Sequence, residues 1–270
     1  MAGIPRIDRA VVQLAATYPR AYNGGMGQDA QARSREEQAR DLLDAADTVL
    51  AVVAHPDDES FGLGAVLDHL ATAGTSVTVL CFTHGEASTL GGEHADLGAL
   101  RADELDAAAT VLGVKRSVLL DYPDGGLTDV SVDELAGHVE SLAAEVRPTY
   151  LLAFDTTGVT SHPDHVRATE AALATADHLG LPVLGWTLPA QVADQLNPEF
   201  GSPLVGSPPD LVDLTLPVSR TRHHQAIACH RSQSTDNPLL HRRLDLLGDT
   251  EHLRLLRPHR PAPRARADDH

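Results

Sequence analysis

Two short polar clusters hold the residues best suited to chemistry, Ala54-His55-Pro56-Asp57-Asp58-Glu59 and Ser161-His162-Pro163-Asp164-His165. Imidazole nitrogens and carboxylate oxygens are the donors a catalytic divalent metal takes, three at a time, with one position left for water or substrate. In the first cluster Asp58 follows His55 by one helical turn, so both can face one ion. Asp57 points differently and can reach a water on that ion. In the second, His162 and His165 are three residues apart and share a helix face. One can ligate while the other meets a substrate, and the spacing does not say which. Asp164 is suited to holding a ring nitrogen of His162, the service carboxylates often give to working imidazoles. Each cluster also has a plain structural explanation. Aspartates in a first helical turn satisfy free backbone N–H groups, and proline fits the first helical position. Two such clusters at one sheet edge favour the metal.

The elements around them explain why they share an edge. TVLAVVA, from Thr48, is a continuous apolar run of the kind that forms a strand buried on both faces. HPDDES follows, then a helix over about 61–73. SVTVLCF, SVLLD, TYLLAF and PVLGW supply four more strands. Between them stand the helical stretches LGALRADELDAAATVLG, residues 132–145 and HPDHVRATEAALATADHLG. Strands alternating with helices of this length predict an α/β fold, a mostly parallel sheet covered on both faces. In such sheets ligands bind beyond the carboxyl ends of the strands, where both clusters fall.

Outside that pattern, residues 1–47 read as an N-terminal helical adaptor. It has one helix near 7–17, stopped by Pro19 and Asn23-Gly24-Gly25. A second opens at Ser34 with Glu37 as capping-box partner, and Leu42 and Leu43 dock it. Residues 48–250 form the main domain, variable from about 187. Residues 189–209 read as a loop, DLVDLTLP as a short late strand, Ser219 as the cap of a helix to about 230, and 251–270 as a flexible tail. The loops at 87–98 and 187–210 are expected to wall the pocket.

Composition narrows the partners. The chain of 270 residues carries a formal charge of -17 and only 3% aromatics, so it repels phosphate backbones and lacks a stacking surface. Neither nucleic acid nor membrane is an expected partner. No apolar run reaches the roughly 18 residues of a membrane span. Two cysteines, Cys81 and Cys229, make no disulfide framework and suit a reducing, cytoplasmic setting. A homo-oligomer is compatible with all of this.

AHPDDE followed by HPDH resembles the LmbE-like/PIG-L family of zinc-dependent N-acetylglucosaminyl deacetylases. The resemblance implies a Rossmann-like three-layer α/β/α sandwich and removal of an acyl group from an amide nitrogen, most often on a 2-acetamido sugar. It assigns the metal, zinc or another divalent first-row ion, to His55, Asp58 and His165, and the general base to Asp57. It makes His162, in its protonated form, the oxyanion stabiliser and Asp164 its orienting partner. Further motifs extend it to at least residue 240. Thr83-x-Gly85-Glu86 resembles the family's turn after the second strand, Arg101-x-x-Glu104 its sugar-contacting helix, and Asp124-Gly125 a substrate turn. His230-x-Ser232-Gln233 resembles a late block. Glu86, Arg101 and Asp124 are the substrate-binding expectations.

The expected function is metal-dependent hydrolysis of an N-acyl amide, most simply N-acetyl, on an amino-sugar-like small molecule. The runner-up is an amidase releasing a larger acyl group from a thiol conjugate or a glycosylated natural product. A metal- or sugar-binding protein that has kept the fold is the non-enzymatic rival. The departures lie on the substrate side: Ala87-Ser88-Thr89 after the Thr83 turn, and Thr160 where some thiol-pathway members carry tyrosine. Taken without the family, Arg101 and Glu104 would be an ordinary surface pair on one helix. His223 and His224 would be surface residues or cleft lining.

Overall fold

A computed structural model of the chain describes residues 34–258 except 91, 93 and 94. The helix expected near 7–17, His94 and the end of the chain lie outside the described residues. Seven strands form one sheet: β1 (Thr48–Val53), β2 (Ser76–Thr83), β3 (Arg116–Tyr122), β4 (Tyr150–Phe154), β5 (Val183–Thr187), β6 (Leu214–Pro217) and β7 (Thr250–Arg257). Their order is β3-β2-β1-β4-β5-β7-β6. The first five pair in parallel, and β7 and β6 close one edge antiparallel.

Alternation along β1 shows how the layers are filled. Val49, Ala51 and Val53 enter one core, with helices Arg35–Asp44, Gly64–Ala73, Leu97–Leu112 and Ala190–Phe200. Leu50 and Val52 enter the other, under helices Val132–Val146 and Pro163–Leu179. This is a three-layer α/β/α sandwich with a largely parallel sheet. Strand order runs outward in opposite senses from β1 and from β4, so the crevice between their carboxyl ends is a topological switch point. The first polar cluster leaves β1 and the second follows β4, which brings residues more than a hundred positions apart to one crevice.

Several expectations are corrected. The helix expected over 61–73 breaks into Asp58–Phe61 and Gly64–Ala73. A Cβ at the intervening Gly62 would stand 2.5 Å from the Phe154 ring. Residues 189–209 are not all loop, because Ala190–Phe200 is helical and buries Val192, Ala193 and Leu196. The tail does not begin at 251, since β7 pairs with β5 and β6. Its alternation buries Glu251, Leu253 and Leu255. The capping box at Ser34 forms as expected. Its helix is built into the domain, however: Ala39 and Leu43 join the core, and the Arg35 guanidinium grips both oxygens of Asp213 at 2.7 and 3.0 Å. No helix among the described residues is long and apolar enough to cross a membrane.

Candidate functional site

Asp57 and Asp58 open the short helix after β1, and His162 is the N-cap of helix Pro163–Leu179. Together they bring His55, Asp58 and His165 into contact. His165 Nε2 lies 3.1 Å from His55 Nδ1 and 3.1 Å from Asp58 Oδ1, and His55 Nδ1 is 3.7 Å from Asp58 Oδ2. Donor atoms around one tetrahedral ion stand about 3.4 Å apart.

The proton inventory explains why these atoms face one another. His55 Nε2 lies 3.1 Å from Asp124 Oδ1 and 3.4 Å from Asp164 Oδ2 without an aligned hydrogen bond to either; the two carboxylates favour a hydrogen on that nitrogen, which leaves Nδ1 for a cation. His165 Nδ1 lies 3.2 Å from the Gly158 carbonyl and 2.8 Å from Thr160 Oγ1. A carbonyl only accepts, so His165 Nδ1 is the N–H and Nε2 offers its lone pair. Asp58 adds an anionic oxygen, its other oxygen accepting from the backbone N–H groups of Ala54 and His55. Three electron-rich atoms thus converge in a buried place, an arrangement that a cation satisfies. Burial opposes charge on both groups, yet the surrounding carboxylates hold the His55 pKa well above its usual value. His165 and His55 likewise hold Asp58 well below the carboxylate range. The donor set therefore fits a divalent metal.

Asp57 adopts φ 128°, a backbone strain that persists only where the surroundings enforce it. Its N–H donates to Glu59 Oε2 at 2.9 Å. The other oxygen of Glu59 is held by His230 Nε2 at 2.7 Å, with both side chains fully buried. Arg101 Nη2 lies 2.9 Å from Asp57 Oδ2. Burial pushes the Asp57 carboxyl up to about 6, against the pull of Arg101.

His162 differs from expectation. The backbone N–H of Asp164 donates to His162 Nδ1 at 3.2 Å, which leaves the hydrogen on Nε2. The Asp164 carboxylate lies against His55 instead and accepts from the N–H groups of Gly125 and Leu127 at 2.8 and 3.2 Å. Burial, then the neighbouring His55 and His165, lower the His162 pKa, so its neutral Nε2–H form is favoured over the imidazolium.

The three expected substrate contacts separate. Arg101 and Asp124 line a cavity of about 450 Å³ together with His55, Asp57, Asp58, His162 and His165, a size that suits a small molecule. Glu86 is exposed, lies outside that lining and accepts from the backbone N–H of Asp124 at 2.9 Å. Arg101 is no surface residue. It is 3% exposed and donates to the carbonyls of Gly85 and Pro56. At Gly85, where φ is 64°, a Cβ would run into that guanidinium. Glu104 accepts from the N–H and hydroxyl of Ser232 at 2.9 and 2.6 Å, so the Arg101 helix ties the late His230 block to the site. His223 is fully buried and His224 is exposed.

The lining comes from 87–90 as expected, but none comes from 187–210. Gln233, Asn237, Leu239, Leu240 and Arg243 supply that wall. Arg243 went unnoticed in the sequence. The signal was present: it interrupts the buried stripe Leu240, Leu244, Leu247 of helix Pro238–Leu247.

Comparison with known proteins follows the same geometry. Residues 50–176 match the PIG-L family, described as GlcNAc-PI de-N-acetylase. A Mycobacterium bovis protein named 1D-myo-inositol 2-acetamido-2-deoxy-alpha-D-glucopyranoside deacetylase is 30% identical over 249 residues, covering 70% of this chain and 81% of that one. The chain spans about half the length of three other curated relatives of that name, from Streptomyces griseus, Salinispora arenicola and Geodermatophilus obscurus, at 34% to 35% identity. Among solved structures, the A40926 pseudoaglycone deacetylase Dbv21 superposes with TM-score 0.63 at 24% identity, over 80% of this chain and 99% of that one. The 4-carboxy-2-hydroxymuconate hydratase GalB of Pseudomonas putida superposes with TM-score 0.62 at 17% identity, over 81% and 100%. These two likenesses establish the fold.

Proposed function

The chain belongs to the PIG-L family of de-N-acetylases, and we propose that it hydrolyses an N-acyl amide, most simply an N-acetyl group, on an amino-sugar-like small molecule. A hydratase shares the fold, so the reading rests on side chains rather than architecture. The observation that carries it is the convergence of His55 Nδ1 and the Asp58 carboxylate on His165 Nε2, with Asp57 beside them. The deacetylase named for the Mycobacterium bovis relative supports the substrate class.

His55, Asp58 and His165 would hold a divalent ion, zinc in this reading, which polarises an amide carbonyl and makes water acidic. Asp57 takes the proton from the attacking water and returns it to the departing nitrogen, a task for which a carboxyl near about 6 is well matched. Arg101 keeps that carboxylate ionised and oriented. His162 donates Nε2–H toward the oxygen that becomes negative in the tetrahedral intermediate. Asp124 and Asp164, beside His55 Nε2, favour a hydrogen on that nitrogen and so leave Nδ1 for the ion. The products are a free amine and a carboxylate.

The test is amine release, read with an amine-reactive fluorophore, from N-acetylglucosamine glycosides, inositol-linked N-acetylglucosamine, thiol conjugates and longer-chain N-acyl amino sugars. Metal content is measured on the same preparation. Release from an N-acetyl sugar by metal-containing protein, lost on chelation and restored by zinc, is the expected result. Metal-loaded protein that releases amine from none of them ends the reading.

A further inference from the structure

Three arginines are buried among the described residues, Arg101, Arg220 and Arg243. Two of them meet a carboxylate: Arg101 pairs with Asp57, and Arg220 with Glu251. Arg243 does not. It keeps 5% of its surface, yet forms no ion pair with a described residue. Nη2 donates to the Phe61 carbonyl at 2.5 Å, and the guanidinium carbon stands 5.3 Å from the Trp186 ring centroid. Nε is buried without a partner. The neighbouring acid Glu251 is already taken by Arg220 and by Trp186 Nε1 at 2.7 Å. Burial brings the Arg243 pKa down to about 10, so the group stays cationic at neutral pH.

Glu251, Asp57 and Asp58 favour the Arg243 charge from a distance, but none of them pairs with it, and a buried cation without a contacting partner is costly. Arg243 lines the same cavity as the His55 cluster, on the wall that also offers Leu239 and Leu240. A role confined to pinning the Phe61 carbonyl and covering Trp186 would use one donor and the ring face. The planar fork of a guanidinium is shaped for a carboxylate or a phosphate. We propose that Arg243 forms an oxyanion subsite in the cleft wall, so that the substrate is an N-acylated amine bearing a carboxylate or phosphate. The substrate half of this statement rests on the hydrolytic reading above. The subsite itself does not.

Trp186 is the single tryptophan of the chain and lies beneath the guanidinium, so its emission reports occupancy. Inorganic phosphate and acetate are titrated separately into the metal-loaded protein, with sodium chloride at equal ionic strength as control. A saturable change with phosphate or acetate beyond the chloride control is expected. In R243Q the dissociation constant should rise about tenfold or more, the loss that accompanies a charge-assisted contact. The tighter of the two anions identifies the phosphate or carboxylate class. R243K keeps the charge but not the fork, so it should bind with intermediate strength, a readout that holds even if R243Q does not fold. A wild-type response equal to that of chloride, or an unchanged constant in R243Q, overturns the subsite. Because the titration needs no turnover, anion binding at Arg243 in a protein that releases no amine would end the proposed reaction and leave the subsite standing.

Discussion

Arg101 Nη2 stands 2.9 Å from Asp57 Oδ2, and that contact changes what Arg101 is for. The motif suggested a residue gripping sugar hydroxyls. The structure commits the guanidinium to the Asp57 carboxylate and to two backbone carbonyls behind it. Its first duty is electrostatic, holding an otherwise poorly solvated base in its ionised form.

Arg101→Met should therefore act on the base. Asp57 works as a carboxylate, so activity falls as pH drops through its pKa, at or below about 6 once a cation sits nearby. Arg101 lowers that pKa, and its removal should move the acidic limb of kcat/KM to higher pH. At neutral pH the loss should be similar on a glycoside and on a truncated N-acetyl amide. A profile that keeps its limb, with loss confined to the glycoside, would return Arg101 to the sugar-binding role.

Replacing Asp57 by Asn tests the base directly. Turnover should fall by about 10²–10⁴, while metal content stays at the wild-type value because Asp57 lies outside the converging trio. Near-normal turnover in D57N would fail the assignment. Glu59 is a poor substitute candidate, since both its oxygens are committed to Asp57 N–H, Ser60 and His230.

Metal removal supplies a test that needs no substrate. An ion bound only by the folded protein adds stability of roughly 2.7–4.1 kcal/mol at 100 to 1,000 times its Kd. Chelation should lower the wild-type Tm accordingly, and zinc should restore it. In H165A the Tm should be insensitive to both, and elemental analysis should show the metal lost. Equal metal content in H165A and wild type would remove His165 from the ligand set.

What the sequence revealed follows from the range over which each signal acts. The strands β1 to β5 are dense apolar runs, and the two clusters sit directly behind β1 and near β4, so local pattern reached them. The partner of Asp164 was misread for the opposite reason. His162 is two residues away along the chain, whereas His55 is the neighbour only because β1 and β4 are adjacent in the sheet. The C-terminal wall escaped similarly. Proline and glycine between 189 and 209 masked the apolar period of Val192, Ala193 and Leu196, and the charges of Glu251 and Arg254 masked the alternation of β7. Both charges are answered by distant partners, Arg220 for Glu251 and Asp155 for Arg254. No local window contains either pair.

His223 gives a prediction about stability rather than activity. It is fully buried, donates through Nε2 to the Ser60 carbonyl at 2.8 Å and accepts at Nδ1 from Arg220 at 3.0 Å. Burial, together with the Arg220 charge, lowers its pKa from 6.5 to about 3. The folded protein therefore keeps His223 neutral at pH values where the unfolded chain has already protonated it. Between about 6.5 and about 3 the unfolded state binds the extra proton, so folding stability falls as the pH falls through that window. The whole effect is on the order of 5 kcal/mol. Urea denaturation at a series of pH values should show this slope in the wild type. In H223Q, which keeps a hydrogen-bond donor but cannot titrate there, the slope should be shallower by about one proton. Parallel curves for the two proteins would mean that His223 is reached by solvent and protonates in the folded state, contrary to the packing of Ser60 and Arg220 around it.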